Sequence, residues 1–289
     1  MATSLRAGDI AFVGVQGDGS PERFAVVLLR EIDSGTVINF TDNGWLSSGA
    51  FRTGEGIITY TASATVAAGT VLTYPGAAGS GWTVTNASFA LNNSGDQIIA
   101  YQGTLASPTA LASPTALLAA VQTNNSAWES GTIDAQQSEL PGSGSTLADL
   151  TLGTYAVAIG TNATTERDNG YYSGTTSGTA AQLLTAINTA SNWTTAANSS
   201  TAVTFPAGPF SLGGGGGGGA VAGLTLTQSG GTTAVAEASA TSDTVSLVLA
   251  TQPTGDVTVS VANSGSDVTL SASSFTFTTA NWNVAQTLT

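Results

Sequence analysis

The chain has 289 residues and a net charge of −13, with five Arg and no Lys, His or Cys. That inventory removes the usual general base, the thiol nucleophile, the imidazole and thiolate metal ligands and the Schiff-base amine, and it excludes disulfides and Lys–Asn isopeptide staples. Nucleic acid and anionic lipid surfaces are not expected partners, because both require clustered Lys and Arg.

Charged residues are only 8% of the chain, against about 25% in ordinary soluble proteins. Thr, Ser, Asn, Gln and Gly must therefore cover most of the surface, which leaves little like-charge repulsion to oppose self-association. No apolar run approaches the ~18 residues of a membrane-spanning helix, so no transmembrane segment is expected. The opening MATSLRAGDIAFVGV has no basic stretch, apolar core and cleavage site in the order of a signal peptide. Absence of Cys is compatible with export, and the uncharged polar composition suggests an extracellular protein, exported without a visible N-terminal signal.

In chain order, GDIAFVGVQ, FAVVLLREI, GTVINFTDNGW, GEGIITYTA, GTVLTY and DQIIAYQG are rich in β-branched and aromatic residues and follow Gly or Asp turn signals. They predict an all-β sandwich or barrel. Two segments read as helices. PTALLAAVQTN has Pro114 near a first turn and Leu117, Leu118 and Val121 on one face; SGTAAQLLTAINTASNW has Leu183, Leu184 and Ile187 on one face. The hexapeptide ASPTAL occurs at 106–111 and again at 112–117, which reads as a duplicated surface loop.

Seven glycines at 213–219 predict a flexible linker. The organisation expected is a β-sandwich domain over 1–212, a Gly-rich linker over 213–220 and a small β-sandwich over 221–289. All five Arg precede the linker, and only four acids, Glu237, Asp243, Asp256 and Asp267, follow it. In the second domain LTLTQ, TVSLVLAT, DVTVSVAN, DVTLSASSFTFT and AQTLT alternate as successive strands. The sequence stops within a strand-like segment, Gln286, Thr287, Leu288 and Thr289. That segment is the candidate interaction edge, to be completed by further chain or by another chain.

Thr233, Val235 and Glu237, then Gln252 and Pro253, then Phe277, Thr278, Asn281 and Trp282 resemble the pattern of Calx-beta and immunoglobulin-like repeats of large bacterial surface proteins. The likeness covers nearly all of 224–289. It implies an immunoglobulin-like sandwich, with calcium at strand-end loops, although no close acidic cluster is present. Most of 8–195, including GDIAFVGV, FRTGEGIITYTA and DNGYYSG, resembles an N-terminal β-rich module of large exported proteins of the cyanobacterial type and is loosely similar to lamin-tail sandwiches. This resemblance implies surface-layer, adhesin or filament proteins.

Chemistry without His has to rest on carboxylates. Asp42, Glu55, Asp96 and Glu129 are the candidates for a glycosidase-type pair, but no motif surrounds them, and Asp42 in FTDNGW also suits a turn. No enzymatic activity is expected. Calcium is the expected cofactor if there is one. Asp18 and Glu22 lie four apart with Gly19 between them, and backbone carbonyls can complete such a shell; a solvated hairpin explains the same residues. Trp45, Trp82, Trp128, Trp193 and Trp282, with Tyr171 and Tyr172, are either core residues or sugar-stacking platforms. The expected function is a self-associating structural subunit of a surface layer or extracellular filament. The alternatives are a carbohydrate-binding or adhesin module, with cell-surface polysaccharide as partner, and the non-catalytic part of a larger secreted protein.

Overall fold

The computed structural model describes residues 1–19, 21–86, 89–92, 94–104, 113–131, 137–161, 165–196, 203–212, 224–229, 235, 241–249, 253, 255–263 and 268–289. The fold is all-β. The chain divides into two compact units, Met1–Gly219 and Ala220–Thr289. The poly-Gly run, the first ASPTAL copy, Thr233, Glu237, Gln252 and Asp267 lie outside the described residues.

Strands of the first unit are β1 (Ile10–Gln16), β2 (Arg23–Leu28), β3 (Val37–Thr41), β4 (Trp45–Leu46), β5 (Ala50–Phe51), β6 (Ile57–Thr61), β7 (Val71–Tyr74), β8 (Trp82–Asn86), β9 (Gln97–Thr104), β10 (Ser113–Gln122), β11 (Ala156–Ala158), β12 (Asn169–Tyr172) and β13 (Ser177–Gly178). Helix α1 (Ala180–Ile187), β14 (Trp193–Ala196) and β15 (Ser211–Leu212) follow. One sheet runs β14-β12-β1-β2-β7 and the other β11-β10-β9-β3-β6-β8. Their facing sides share a single core containing Phe12, Phe24, Phe40, Ile58, Ile98, Leu118 and Val121. Aromatic rings join across it, Phe24 to Phe40 at 4.9 Å and Phe12 to Phe40 at 6.2 Å.

The six-stranded sheet is also covered on its other face. Ile99 and Tyr101 of β9 and Leu117 and Ala120 of β10 join Trp45, Phe51, Leu150 and Ala156 in a second core. The β4–β5 hairpin, with Trp45 opposite Phe51, supplies part of that cover. A strand buried on both faces reads as an unbroken apolar run.

That double burial corrects one expectation. PTALLAAVQTN is not a helix but the body of β10, antiparallel to β9 and parallel to β11. Its Leu and Ala residues have high helix propensity. Tertiary context overrides propensity here: Leu117 and Ala120 face one core, Leu118 and Val121 the other, an arrangement a helix with one apolar stripe cannot satisfy.

The other predicted helix forms as α1. Its first turn closes in a capping box: the Gln182 N–H donates to the Thr179 hydroxyl at 3.2 Å and the Thr179 N–H to Gln182 Oε1 at 2.9 Å. Leu183 and Ile187 are buried while Leu184 packs at the margin of the core. The segment before β1 is anchored as well. Leu5 N–H donates to Gln102 Oε1 at 2.7 Å, and Gln102 Nε2 donates to the Thr3 and Val37 carbonyls.

In the second unit the strands are β16 (Leu224–Gln228), β17 (Val245–Leu249), β18 (Val257–Ser260), β19 (Ser274–Phe277) and β20 (Gln286–Leu288). They form a three-stranded sheet, β16-β17-β20, and a pair, β18-β19. The buried core here consists of Leu247, Phe275 and Phe277.

Candidate functional site

A cluster of buried polar groups lies where β3, β6 and β9 meet the segment 89–92. Asp42 follows β3 directly, and its carboxylate is a two-sided acceptor. Oδ1 receives the Gly56 N–H at 2.7 Å and Oδ2 the Ala90 N–H at 2.8 Å. Thr41 Oγ1 donates to the Gly56 carbonyl at 2.7 Å, and Gln97 Nε2 donates to the Asp42 carbonyl. Gly56 permits the approach, because a Cβ there would run into the Phe89 backbone.

Two further carboxylates continue the pattern. Glu22, at the start of β2, accepts the Leu91 N–H at 2.8 Å. Asp96, ahead of β9, accepts the Asn92 N–H at 2.8 Å with Oδ2 and the Gln97 N–H at 2.8 Å with Oδ1. Three consecutive backbone donors, Ala90, Leu91 and Asn92, are thus held by three carboxylates from three separate parts of the chain. Each bond gives a backbone donor an acceptor inside the protein, where an unmet N–H costs about 1–3 kcal/mol. Their acceptor capacity goes into fixing the segment 90–92 across the end of the sandwich. A shallow crevice beside the clamp, too narrow to hold a water molecule, is lined by Leu91, Asn92, Asp96, Gln97, Thr123 and Asp168, among others.

Burial sets the electrostatics. Asp42 is 1% exposed, and its pKa rises to about 8, chiefly from desolvation, with the Glu55 charge adding to the rise and the Ala90 and Gly56 N–H groups opposing it. Asp96 is pushed well above the ordinary range, first by desolvation and then by the Asp42 and Glu55 charges, against the Asn92 and Gln97 N–H groups. Glu22 is raised by burial and lowered by the Leu91 N–H.

The sign of the pH dependence follows. These carboxyls bind protons more tightly folded than unfolded, so their contribution is fully present below the unfolded pKa and is lost as pH rises through the folded one. For Asp42 that window runs from 3.8 to about 8. Stability is expected to fall between pH 4.5 and 8, by at most about 1.4 kcal/mol per pH unit for each titrating group. Urea midpoints at pH 4.5, 6 and 8 check this, and a midpoint that climbs across the range contradicts it.

Asp9 repeats the logic at the opposite end of β1. It is 1% exposed, accepts the Arg6 N–H at 3.0 Å and lies 3.4 Å from Arg30. Burial raises it, and the Arg6 N–H and the Arg30 charge offset part of the rise. Sequence reasoning did not single out Asp9 or the role of Asp96. A signal was there: each follows a positive-φ glycine, Gly8 or Gly95, and each precedes an apolar strand. In both cases the carboxylate accepts a backbone N–H three or four residues upstream and closes the turn that starts the strand.

The other sequence candidates are placed as follows. Asp18 and Glu22 sit in the β1–β2 connection; the Asp18 N–H meets Asn169 Oδ1 at 3.3 Å, and Glu22 is engaged by Leu91. Among the described residues no three Asp, Glu, His or Cys side chains converge as a metal-ligand group. Asp42, Glu55 and Asp96 are brought within electrostatic reach of one another, whereas Glu129 pairs with Asn125 and lies beside Glu139 in an isolated bridge. Trp45, Trp193 and Tyr172 are buried and offer no face for stacking. Trp82 is hemmed in by Phe24, Phe40, Tyr60 and Tyr74 at ring separations of 5.1–5.6 Å.

Gln286 and Leu288 pair with Leu247 and Val245 of β17, placing the terminal segment at one edge of the small sheet. Thr289 is held from the other side: its N–H donates to Ser271 Oγ and its carbonyl accepts the Ser271 N–H, both at 2.9 Å. No protein-family model, no curated protein and no solved structure matches the chain.

Proposed function

We propose that the chain is a non-enzymatic structural subunit of an extracellular bacterial assembly, a surface layer or filament, built by self-association of its β-rich units. The observation that carries this reading is the contrast between the two units. In the first, the buried carboxylates clamp backbone N–H groups and the large aromatics fill cores. In the second, apolar side chains stay at the surface. Leu224, Leu226, Val235, Val268 and Val284 are five of the nine large hydrophobics exposed among the described residues, in a unit spanning only Ala220–Thr289. Exposed apolar side chains gathered in one unit offer surface that a second copy can cover.

A surface with few charges supports close lateral packing of copies, and oxygen-rich loops leave calcium as the cation to test at contacts. Electron microscopy of the purified chain, with calcium and with chelator, is expected to show ordered sheets or filaments. Loss of order in chelator assigns calcium to the contacts. Dispersed particles in both conditions at high protein concentration contradict the reading.

A further inference from the structure

Among the described residues, only one of the two edges of the β16-β17-β20 sheet presents a full row of backbone groups. The Ser229 N–H donates to the Thr244 carbonyl at 3.0 Å, and the register pairs Gln228 with Val245, Leu226 with Leu247 and Leu224 with Leu249. Backbone direction alternates along a strand. Thr225, Thr227 and Ser229 therefore bond inward to β17, while Leu224, Leu226 and Gln228 direct their N–H and C=O groups to the outer edge. On β20 the same parity leaves Thr287 and Thr289 outward, and Thr289 is already bonded to Ser271. β20 thus offers a single residue to a new strand, and β16 offers three.

All five residues of β16 are exposed, Leu226 by 58% and Leu224 by 38%. Exposed edges are ordinarily protected by Lys, Pro, a bulge or an inward charge; LTLTQ has no charge and no Pro, and its register with β17 is continuous. We infer that β16 pairs with β16 of a second copy, antiparallel about a two-fold axis through Leu226, so that two three-stranded sheets become one of six strands. The inference deepens the self-association reading and rests on it.

The occupant follows from self-complementarity. In a two-fold antiparallel pair Leu226 meets its own counterpart and Leu224 meets Gln228, so the three outward residues of each strand all exchange bonds with outward residues of the other. Such isologous contacts are the commonest in homo-oligomers. An uncharged strand meets its copy without repulsion, and the leucines of both copies fall on one face. Five residues a side bury well under the ~800 Å² per partner of a stable interface, so this junction is a weak contact that is repeated in an assembly and is concentration-dependent in isolation.

The chain has no cysteine, so a single introduced thiol is unique. In the full chain, Leu226→Cys places two thiols on residues ~5.5 Å apart between Cα atoms, within disulfide range. Two copies of Leu224→Cys, or two of Gln228→Cys, stand about four residues apart along the strand, roughly 13 Å. Mild oxidation is expected to cross-link Leu226→Cys at least tenfold faster than either of the others, and mixing Leu224→Cys with Gln228→Cys restores fast cross-linking between them. These side chains are exposed, so an unchanged urea midpoint verifies the fold of each variant. Equal rates at all three positions, or no cross-link at 226, overturn the inference. If ordered assemblies persist in that case, only the edge is misassigned. If neither assemblies nor the cross-link form, the structural-subunit reading fails as well. A fast cross-link at 226 without larger assemblies upholds the junction as a dimer contact and removes the polymer.

Discussion

Asp42→Ala is expected to destabilise the first unit by about 3 kcal/mol, from two orphaned backbone donors at roughly 1–3 kcal/mol each. The Gly56 N–H is buried and loses its acceptor outright; the Ala90 N–H is partly buried and can recover part of its loss from water. Asp42→Asn is the sharper test. It keeps the volume, but one carboxyl oxygen becomes an NH2 facing an N–H. Asn is therefore expected to cost about 1–3 kcal/mol, even though it removes a carboxyl that burial pushes up to about 8. The same variant should flatten the fall in stability between pH 4.5 and 8. Equilibrium urea unfolding followed by circular dichroism reads both effects. An Asn variant as stable as the parent at pH 5 contradicts the clamp.

Trp45→Ala is expected to be at least as damaging, about 3–5 kcal/mol. The indole is fully buried and meets Phe51 edge-on at 4.8 Å. Its Nε1–H donates to the Ser143 carbonyl at 2.9 Å. The Trp45 backbone N–H donates to Ser138 Oγ at 2.8 Å, and its carbonyl accepts the Glu139 N–H at 2.9 Å. One residue thus fills the second core and ties the β4–β5 hairpin to 138–143. Trp45→Phe retains much of the volume and leaves the Ser143 carbonyl without its donor, an expected cost nearer 1–2 kcal/mol. Thermal unfolding of both variants orders the two contributions; equal losses would place the effect in the hydrogen bond rather than in the packing.

Strands with dense β-branched and aromatic content were legible in the sequence. GDIAFVGVQ, VINFT, IITYT and DQIIAYQG form where their composition places them, and so do four of the alternating runs of the second unit; of the fifth, DVTLSASSFTFT, only Ser274–Phe277 is a strand. The α1 segment was legible because its apolar residues recur at helical spacing and Thr179 caps it. β10 was not, since an Ala- and Leu-rich run buried on both faces has no periodicity that separates strand from helix. NGYY of β12 and WTTA of β14 were missed for another reason: short and polar, they become strands only through partners far along the chain. The acidic clamp was half legible. Asp42 suited a turn by its neighbours, and Asp96 belongs to a Gly-Asp pair ahead of a strand. That both converge with Glu22 on Ala90, Leu91 and Asn92 depends on backbone donors, which no side-chain pattern records.

The position of β1 also governs how the first unit folds. β1 lies between β2, its hairpin partner, and β12, with Gly14 paired to Tyr171. Its first edge closes locally and early, while its second stays open until a segment more than half the chain away arrives. Pairing between distant segments pays its loop-closure entropy before any contact rewards it, and such topologies fold slowly. Synthesis proceeds from the N-terminus, so a half-made chain carries one of its most apolar strands with a free edge. The early chain is therefore the stage most exposed to chaperones and to mispairing, and a slow refolding phase should lengthen when the β1–β12 contact is weakened.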